Sequence, residues 1–309
     1  MRVYMDNIIF SFDETKRERF EYPNSSFPFI TWIGDFKTFA DRCLVCHWHG
    51  EFEYDVVLSG CVDYYIDGKH IRASQGDVVF INSNAMHTAT QVGNECASIY
   101  TVSFLPSLFT SGNNTPFYKK YFQPILQSNI KGFFVDNKTS TGKRITELLQ
   151  KIYAFELEEP EYYELLCISF MSDIWQNTLA YIKEEEQQLS SLDTNDETQK
   201  RVKDILFYIH EHYAEDIRID DLAHYAHICR SECFRCFKRY FNKSPMSYLT
   251  EYRLSYAVKA LKDTEKSVTE IAIECGFSTA SYFGKQFKKA YAITPLQFRQ
   301  SLQAQDKNG

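Results

Sequence analysis

The chain has 309 residues, of which 44% are hydrophobic and 24% charged, with a formal net charge of −7. That length can bury two separate cores. No run of eighteen apolar residues occurs, and Lys16-Arg17-Glu18-Arg19 interrupts the N-terminal region, so neither a membrane span nor a secretory leader is expected. Nine cysteines, an odd number scattered through both halves, fit a reducing cytoplasm better than a disulfide framework.

The N-terminal half reads as strands. Tyr54-Asp55-Val56-Val57-Leu58, Val62-Asp63-Tyr64-Tyr65-Ile66, Val78-Val79-Phe80-Ile81 and the stretch from Ala97 to Phe104 are rich in β-branched and aromatic residues. Asp67-Gly68, between Ile66 and Lys69, is a hairpin signal of the type I′ kind. Cys43 and Cys46 lie in a strand-like run, three apart and therefore on opposite faces, which reads as packing.

Within these strands His47, His49 and Glu53 are followed by Gly60, and Gly76 precedes His87 by eleven residues. His47 and His49 alternate onto one strand face, as shared ligation would require. The HxHx3Ex6G spacing resembles the two motifs of the cupin barrel, with Asn82 and Asn84 standing where proline and glycine are usual. In metal-binding cupins the three histidines and the glutamate are ligands. The resemblance therefore implies a barrel with a polar site at His47, His49, Glu53 and His87. That site takes a small polar effector, or a metal through the same four residues, or its histidines are simply satisfied within the fold; no other cofactor is expected.

From about Thr139 the pattern turns helical. Ile145, Leu148, Leu149 and Ile152 form one stripe, and Leu165, Ile168, Ile174, Trp175, Leu179 and Ile182 a second. Such helices can pack on the barrel or pair with a second copy, so residues 139–186 are the expected dimerisation segment. Residues 187–198 are polar and read as a linker. Beyond it the charge changes sign. From Gln199 onward there are 18 Lys+Arg against 13 Asp+Glu, a net of +5, and the preceding residues hold 16 against 28, a net of −12. Only the basic end is expected to meet nucleic acid.

That end contains a duplicated unit. Asp221-Leu222-Ala223 leads to Ser231, Arg235, Phe237-Lys238 and Pro245; Glu270-Ile271-Ala272 leads likewise to Ser281, Lys285, Phe287-Lys288 and Pro295. Each copy reads as two short helices about a tight turn. Ser267-Val268-Thr269-Glu270 has capping-box spacing, Gly276-Phe277 supplies a turn, and Ser278 is placed to cap the following helix. In the first copy Cys233, Cys236, Phe237 and Tyr240 fall on one face and Ser231, Phe234, Arg235 and Lys238 on the other. In the second, Phe283, Phe287 and Ala290 oppose Ser281, Gly284, Lys285 and Lys288. A short helix with a basic outward stripe can enter a DNA major groove. Ser244-Pro245 opens a connecting helix to about Lys262, whose apolar positions are Leu249, Tyr252, Val258 and Leu261. The Cys229, Cys233, Cys236 spacing matches that of radical-SAM cluster ligands, but two of the three sit on the inward face of a helix and read as core.

The stretch from Ile271-Ala272 through Cys275-Gly276-Phe277, Ser281-Tyr282-Phe283, Phe287-Lys288-Lys289 and Thr294-Pro295 to Phe298-Arg299 resembles the double helix-turn-helix DNA-binding domain of AraC/XylS-type transcription regulators. Arg218, Asn242 and Ala292 depart from that pattern, standing in place of a capping Ser or Thr and two glycines. The resemblance implies an α+β chain in four parts: a cupin-like effector barrel over 1–138, a helical dimerisation segment over 139–186, a linker over 187–198 and an all-α DNA-binding domain over 199–309. The implied function is sequence-specific binding of double-stranded DNA under control of a small polar effector, carbohydrates among the candidates, by a homodimer that meets RNA polymerase if it activates. The expected DNA-reading residues are Arg230, Ser231, Phe234, Arg235, Ala280, Ser281, Gly284 and Lys285, with Lys238 and Lys288 on phosphates. The rival reading is a metal-dependent cupin enzyme carrying a DNA-binding tail; the favoured one is not an enzyme.

Overall fold

A computed structural model of the chain describes residues 3–4, 18, 20, 22–24, 26–158, 161–185 and 196–306. Contacts divide it into two compact units. The first contains Phe10–Asp35 and Cys46–Thr194; the second contains Phe36–Val45 with Asn195–Gly309.

The strands of the N-terminal half are β1 (Val3–Tyr4), β2 (Phe29–Asp35), β3 (Cys43–His47), β4 (Phe52–Ser59), β5 (Cys61–Ile66), β6 (Lys69–Ser74), β7 (Val78–Ile81), β8 (His87–Gln91), β9 (Ser98–Phe104) and β10 (Gly132–Val135). They form two sheets, one in the order β1-β2-β9-β4-β7-β10 and one in the order β3-β8-β5-β6. The cupin-like barrel is thus built as two sheets; among the described residues it is not a single closed cylinder. The β5–β6 hairpin turns at Asp67 and Gly68, both at positive φ as a type I′ turn needs.

Alternation along β4 divides its side chains between two environments. Phe52, Tyr54 and Val56 enter an apolar core with Phe80, Phe104 and Phe122, whereas Glu53 and Asp55, equally buried, point the other way. Two short helices, α1 (Pro116–Tyr121) and α2 (Gln123–Leu126), precede β10, and α3 (Ser140–Glu158) and α4 (Tyr163–Glu184) follow it. The two apolar stripes seen in the sequence cover the six-stranded sheet. Ile145, Leu148, Leu149, Ile152, Ile174, Trp175 and Ile182 all join the core cluster. Trp175 stacks on Phe122 at 4.9 Å and donates its indole N–H to Tyr121 O at 3.1 Å, so burying the large side chain leaves its one polar atom satisfied. Leu165 departs from the expected stripe: it is 67% exposed beside Tyr162 at 63%.

Most of the predicted linker lies outside the described residues, and residues 196–198 already belong to α5 (Asp196–His212). The C-terminal helices are α6 (Ile219–Tyr225), α7 (Arg230–Phe241), α8 (Pro245–Asp263), α9 (Val268–Glu274), α10 (Ala280–Tyr291) and α11 (Pro295–Asp306). They form two helix-turn-helix units, α6–α7 and α9–α10, joined by α8. Ser244 caps α8 by accepting from Ser247 N at 3.1 Å, with Pro245 in its first turn. Leu249, Tyr252, Val258 and Leu261 are all buried along it.

Phe36–Val45 is built into this second unit. Ala40 joins the core of Leu254, Val258, Ile271, Phe283 and Phe287, and Lys243 Nζ lies 2.9 Å from Cys43 Sγ and 2.7 Å from Glu251 Oε2. Burial opposes the Lys243 charge, yet Cys43 and Glu251 hold its pKa above the ordinary lysine value.

Candidate functional site

The duplicated units place their predicted stripes as the sequence spacing requires. In α7, Cys233, Cys236, Phe237 and Tyr240 are at most 2% exposed, while Arg230, Ser231, Phe234, Arg235 and Lys238 face outward. Cys229 stands at the N-cap and is exposed, so the three cysteines of the radical-SAM-like spacing do not converge. Hydrogen bonding to Ser231 and to the Glu232 amide lowers the Cys229 thiol pKa. In α10, Phe283 and Phe287 are buried, Ser281, Lys285 and Lys288 are exposed, and Ala280 and Gly284 are half-buried. A side chain added at Gly284 would meet nothing within 4 Å, so the backbone itself forms the surface there, between Ser281 and Lys285.

Helix ends fix the direction of both stripes. Thr279, not the expected Ser278, caps α10: its extended backbone lets the hydroxyl accept from Tyr282 N at 3.1 Å. Ser267 and Glu270 form the predicted capping box of α9. At α6 the cap is one-sided, since Arg218 has no acceptor, but the Asp221 carboxylate accepts from Arg218 N at 2.7 Å. After α7 and α10 the chain turns through the left-handed region at Asn242 (φ 54°) and Ala292 (φ 64°). Gly276 needs its glycine twice over, with φ of 78° and Tyr213 O only 2.5 Å from where a Cβ would sit.

Two basic groups of the first unit are pre-oriented by carboxylates. Arg230 forms an ion pair with Asp220, and Arg235 Nη2 lies 2.5 Å from Glu232 Oε2. Tyr282, 43% exposed on α10 next to Ser281, is a surface aromatic that charge-stripe reasoning passed over.

In the first unit the four cupin-motif residues come together. His47, His49, Glu53 and His87 are each at most 2% exposed. One ring nitrogen from each histidine lies within 4.8 Å of the others, and the His47 and His87 ring centroids are 4.0 Å apart. Glu53 reaches His49 Nε2 at 3.2 Å and His87 Nε2 at 3.5 Å, and accepts from Ser103 Oγ at 2.9 Å.

Three further groups belong to this cluster and were not legible as motifs. Glu18, 7% exposed, bridges to His49 through the backbone, donates its amide to Trp48 O at 3.0 Å and brings Oε2 to 3.9 Å from His47 Nε2. Glu51 Oε2 lies 3.4 Å from His49 Nδ1, and the Tyr22 hydroxyl donates to Glu51. Only Glu51 carried a signal, the strand-like i+2 spacing from His49. Burial would lower the His49 pKa, but Glu51 and Glu53 raise it well above the ordinary value. Burial opposes the Glu53 charge, yet His49 and His87 bring its pKa well below the carboxylate range. Glu18 is raised by burial and by its neighbours Glu53 and Glu51.

An all-α double helix-turn-helix unit and a two-sheet unit with a buried polar centre define a DNA-binding regulator with a ligand-binding domain. Residues 222–301 match the family described as a helix-turn-helix domain, and residues 41–154 match the AraC-like ligand binding domain. The chain belongs to the AraC family of transcription regulators. It is 28% identical over 292 residues to the uncharacterized HTH-type transcriptional regulator YdeC of Bacillus subtilis, covering 94% of this chain and 98% of that one. It is 24% identical over 266 residues to the melibiose operon regulatory protein of Escherichia coli K12, covering 83% and 84%. Among solved structures, ToxT of Vibrio cholerae aligns over 91% of this chain and 97% of its own, with 13% identity and a TM-score of 0.45. No described helix is long and apolar enough to cross a membrane.

Proposed function

We propose that this regulator reads its operator through the outward stripes of α7 and α10 and is controlled by a small polar effector sensed at the His47, His49, Glu53 and His87 cluster. The observation that carries the first part is the pair of recognition helices, each with its apolar face buried and its basic face exposed. Arg235 and Lys285 reach base edges with Ser231, Phe234, Ala280, Ser281 and Gly284, while Lys238 and Lys288 contact phosphates. Arg230 is assigned to the same interface.

The sensing part rests on a buried polar cluster within the segment matched as ligand-binding. A carbohydrate is the effector class favoured, because one relative regulates the operon of the sugar melibiose. Glu18 lies against the cluster beside His47, and so does Phe20, whose ring is 5.0 Å from that of His49, so effector entry displaces these two residues. The functional unit is a homodimer that engages RNA polymerase where it activates. The relatives are regulators of transcription, and we read the chain as a regulator rather than an enzyme.

The test is a reporter assay with a sugar panel, coupled to footprinting of the purified chain. Replacing His47 and His87 by Ala is expected to abolish the effector response while DNA binding remains. An effector response that survives both changes would remove the cluster from the sensing role.

A further inference from the structure

The two helix-turn-helix units keep separate interiors. Among the described residues, the apolar core around Leu254, Val258, Ile271, Phe283 and Phe287 takes no side chain from α5, α6 or α7. Helix α8, 19 residues long, joins the units end to end. A helix fixes the distance between its two ends, but rotation at either end would change the angle between α7 and α10.

A second connection lies near the middle of α8. Arg253 Nε donates to Tyr213 O at 2.7 Å and Nη2 donates to Glu215 O at 2.6 Å. Both carbonyls belong to the turn that leads from α5 into α6. On its flat side the guanidinium lies over the Phe277 ring, 5.9 Å from the centroid. Phe277 stands in the turn between α9 and α10 and packs on Phe283 of α10 at 5.0 Å. One side chain thus grips the entry to the first helix-turn-helix with its edge and the turn of the second with its face. The backbone closes on the same spot: a Cβ at Gly276 would sit 2.5 Å from Tyr213 O and 2.9 Å from Ala214 Cα. Tyr213 also stacks on Tyr256, one turn further along α8, at 4.3 Å. Two directed bonds and a stacked face define an orientation, which a flexible point charge does not.

Orientation matters because two successive major-groove visits on one DNA face lie roughly 34 Å apart. One base pair more or less moves the second groove by about 3.4 Å and turns it by about 35°. A loose joint between the units tolerates such a shift, and a rigid one refuses it. Building on the reading that α7 and α10 both enter DNA, we propose that Arg253 is a positioning residue for operator recognition. It locks the α5–α6 turn to the α9–α10 turn and so sets the one separation of sub-sites that the two recognition helices occupy together. Its part is to hold an angle, not to read a base.

The experiment selects operators from a random duplex library with the full-length chain and with Arg253→Lys. Affinities are then measured on duplexes whose sub-sites are moved by one base pair. The wild-type chain is expected to select two sub-sites at one separation and to lose roughly ten-fold or more on a shifted duplex. Arg253→Lys keeps the charge and loses the fork, so it should select the same sub-site sequences at mixed separations and bind shifted duplexes within about three-fold of the original. Val258→Ala weakens the core side of the same helix; it should lower Tm and leave the separation fixed. Equal loosening by Val258→Ala would reduce Arg253 to general packing and overturn the proposal. Should Arg253→Lys not fold, Phe277→Leu carries the test, since it keeps both carbonyl bonds and removes the ring; mixed separations are again expected. One unchanged separation in the folded variant would overturn the positioning role while leaving both recognition helices on DNA. Selection of a single sub-site by the wild-type chain would overturn the two-helix reading and the positioning role together.

Discussion

Arg235 on the first recognition helix is held by Glu232 one turn earlier, Nη2 to Oε2 at 2.5 Å. The pair is largely in solvent on the arginine side, so it orients the guanidinium without locking it, and any DNA contact made by this group must compete with one carboxylate. Arg235→Ala is expected to weaken specific operator binding roughly ten- to a hundred-fold and to relax preference at one base pair. Glu232→Gln, which frees the guanidinium, should strengthen binding to any DNA. Binding titrations on operator and random duplexes check both. Equal losses on the two duplexes for Arg235→Ala would assign Arg235 to phosphate instead.

Ala292 ends α10 at φ 64° and ψ −7°, a left-handed conformation in which its Cβ crowds the backbone. Ala292→Gly is expected to stabilise the chain by about 1 kcal/mol, because the relief of strain exceeds the added unfolded-state entropy. Urea denaturation followed by circular dichroism measures it. Gly276→Ala should do the reverse, and by more, since its new methyl would collide with Tyr213 O.

His210 on α5 is wholly buried, stacks on Tyr252 at 4.2 Å and sits 2.7 Å from the Tyr248 hydroxyl. Burial lowers its pKa to about 3 from an ordinary value of 6.5. Between those limits the unfolded chain binds the proton and the folded chain does not, so stability falls as pH drops below about 6.5. By pH 5 the loss is on the order of 2 kcal/mol. His210→Gln should flatten this part of the pH–stability curve, although it lowers stability at neutral pH.

Residues from Asn195 onward are expected to fold by themselves and to bind DNA, as two helix-turn-helix units around α8 enclose their own cores. That fragment lacks Phe36–Val45, so it leaves the Ala40 site open and strips Cys43 from Lys243. A loss of roughly 2 kcal/mol is expected from the missing apolar burial. Fusing residues 36–45 to the fragment should recover part of it, read as a rise in Tm. A folded fragment with no specific binding at low salt would refute modular DNA recognition; weaker binding would not, because a lost dimer partner also lowers avidity.

The sequence by itself determined the repeated unit, the sign change of charge along the chain and the division of each recognition helix into inward and outward faces. These are local properties: a 3.6-residue period, a cap and a turn residue decide them within about fifteen positions. It also put His47 and His49 on one side of the chain, because strand alternation is as regular as helix periodicity. Only the tertiary structure decided the rest. Glu18 and Tyr22 reach the cluster through contacts between distant segments, which follow no period. The barrel became two sheets because strand order, unlike strand existence, is set by long-range pairing. The apolar stripes of α3 and α4 were equally compatible with a partner chain and with the sheet; side-chain packing gave Trp175 and Ile145 to the sheet and left Leu165 outside. Phe36–Val45 joined the C-terminal unit for the same reason, since one buried alanine and a lysine contact depend on residues some two hundred positions away.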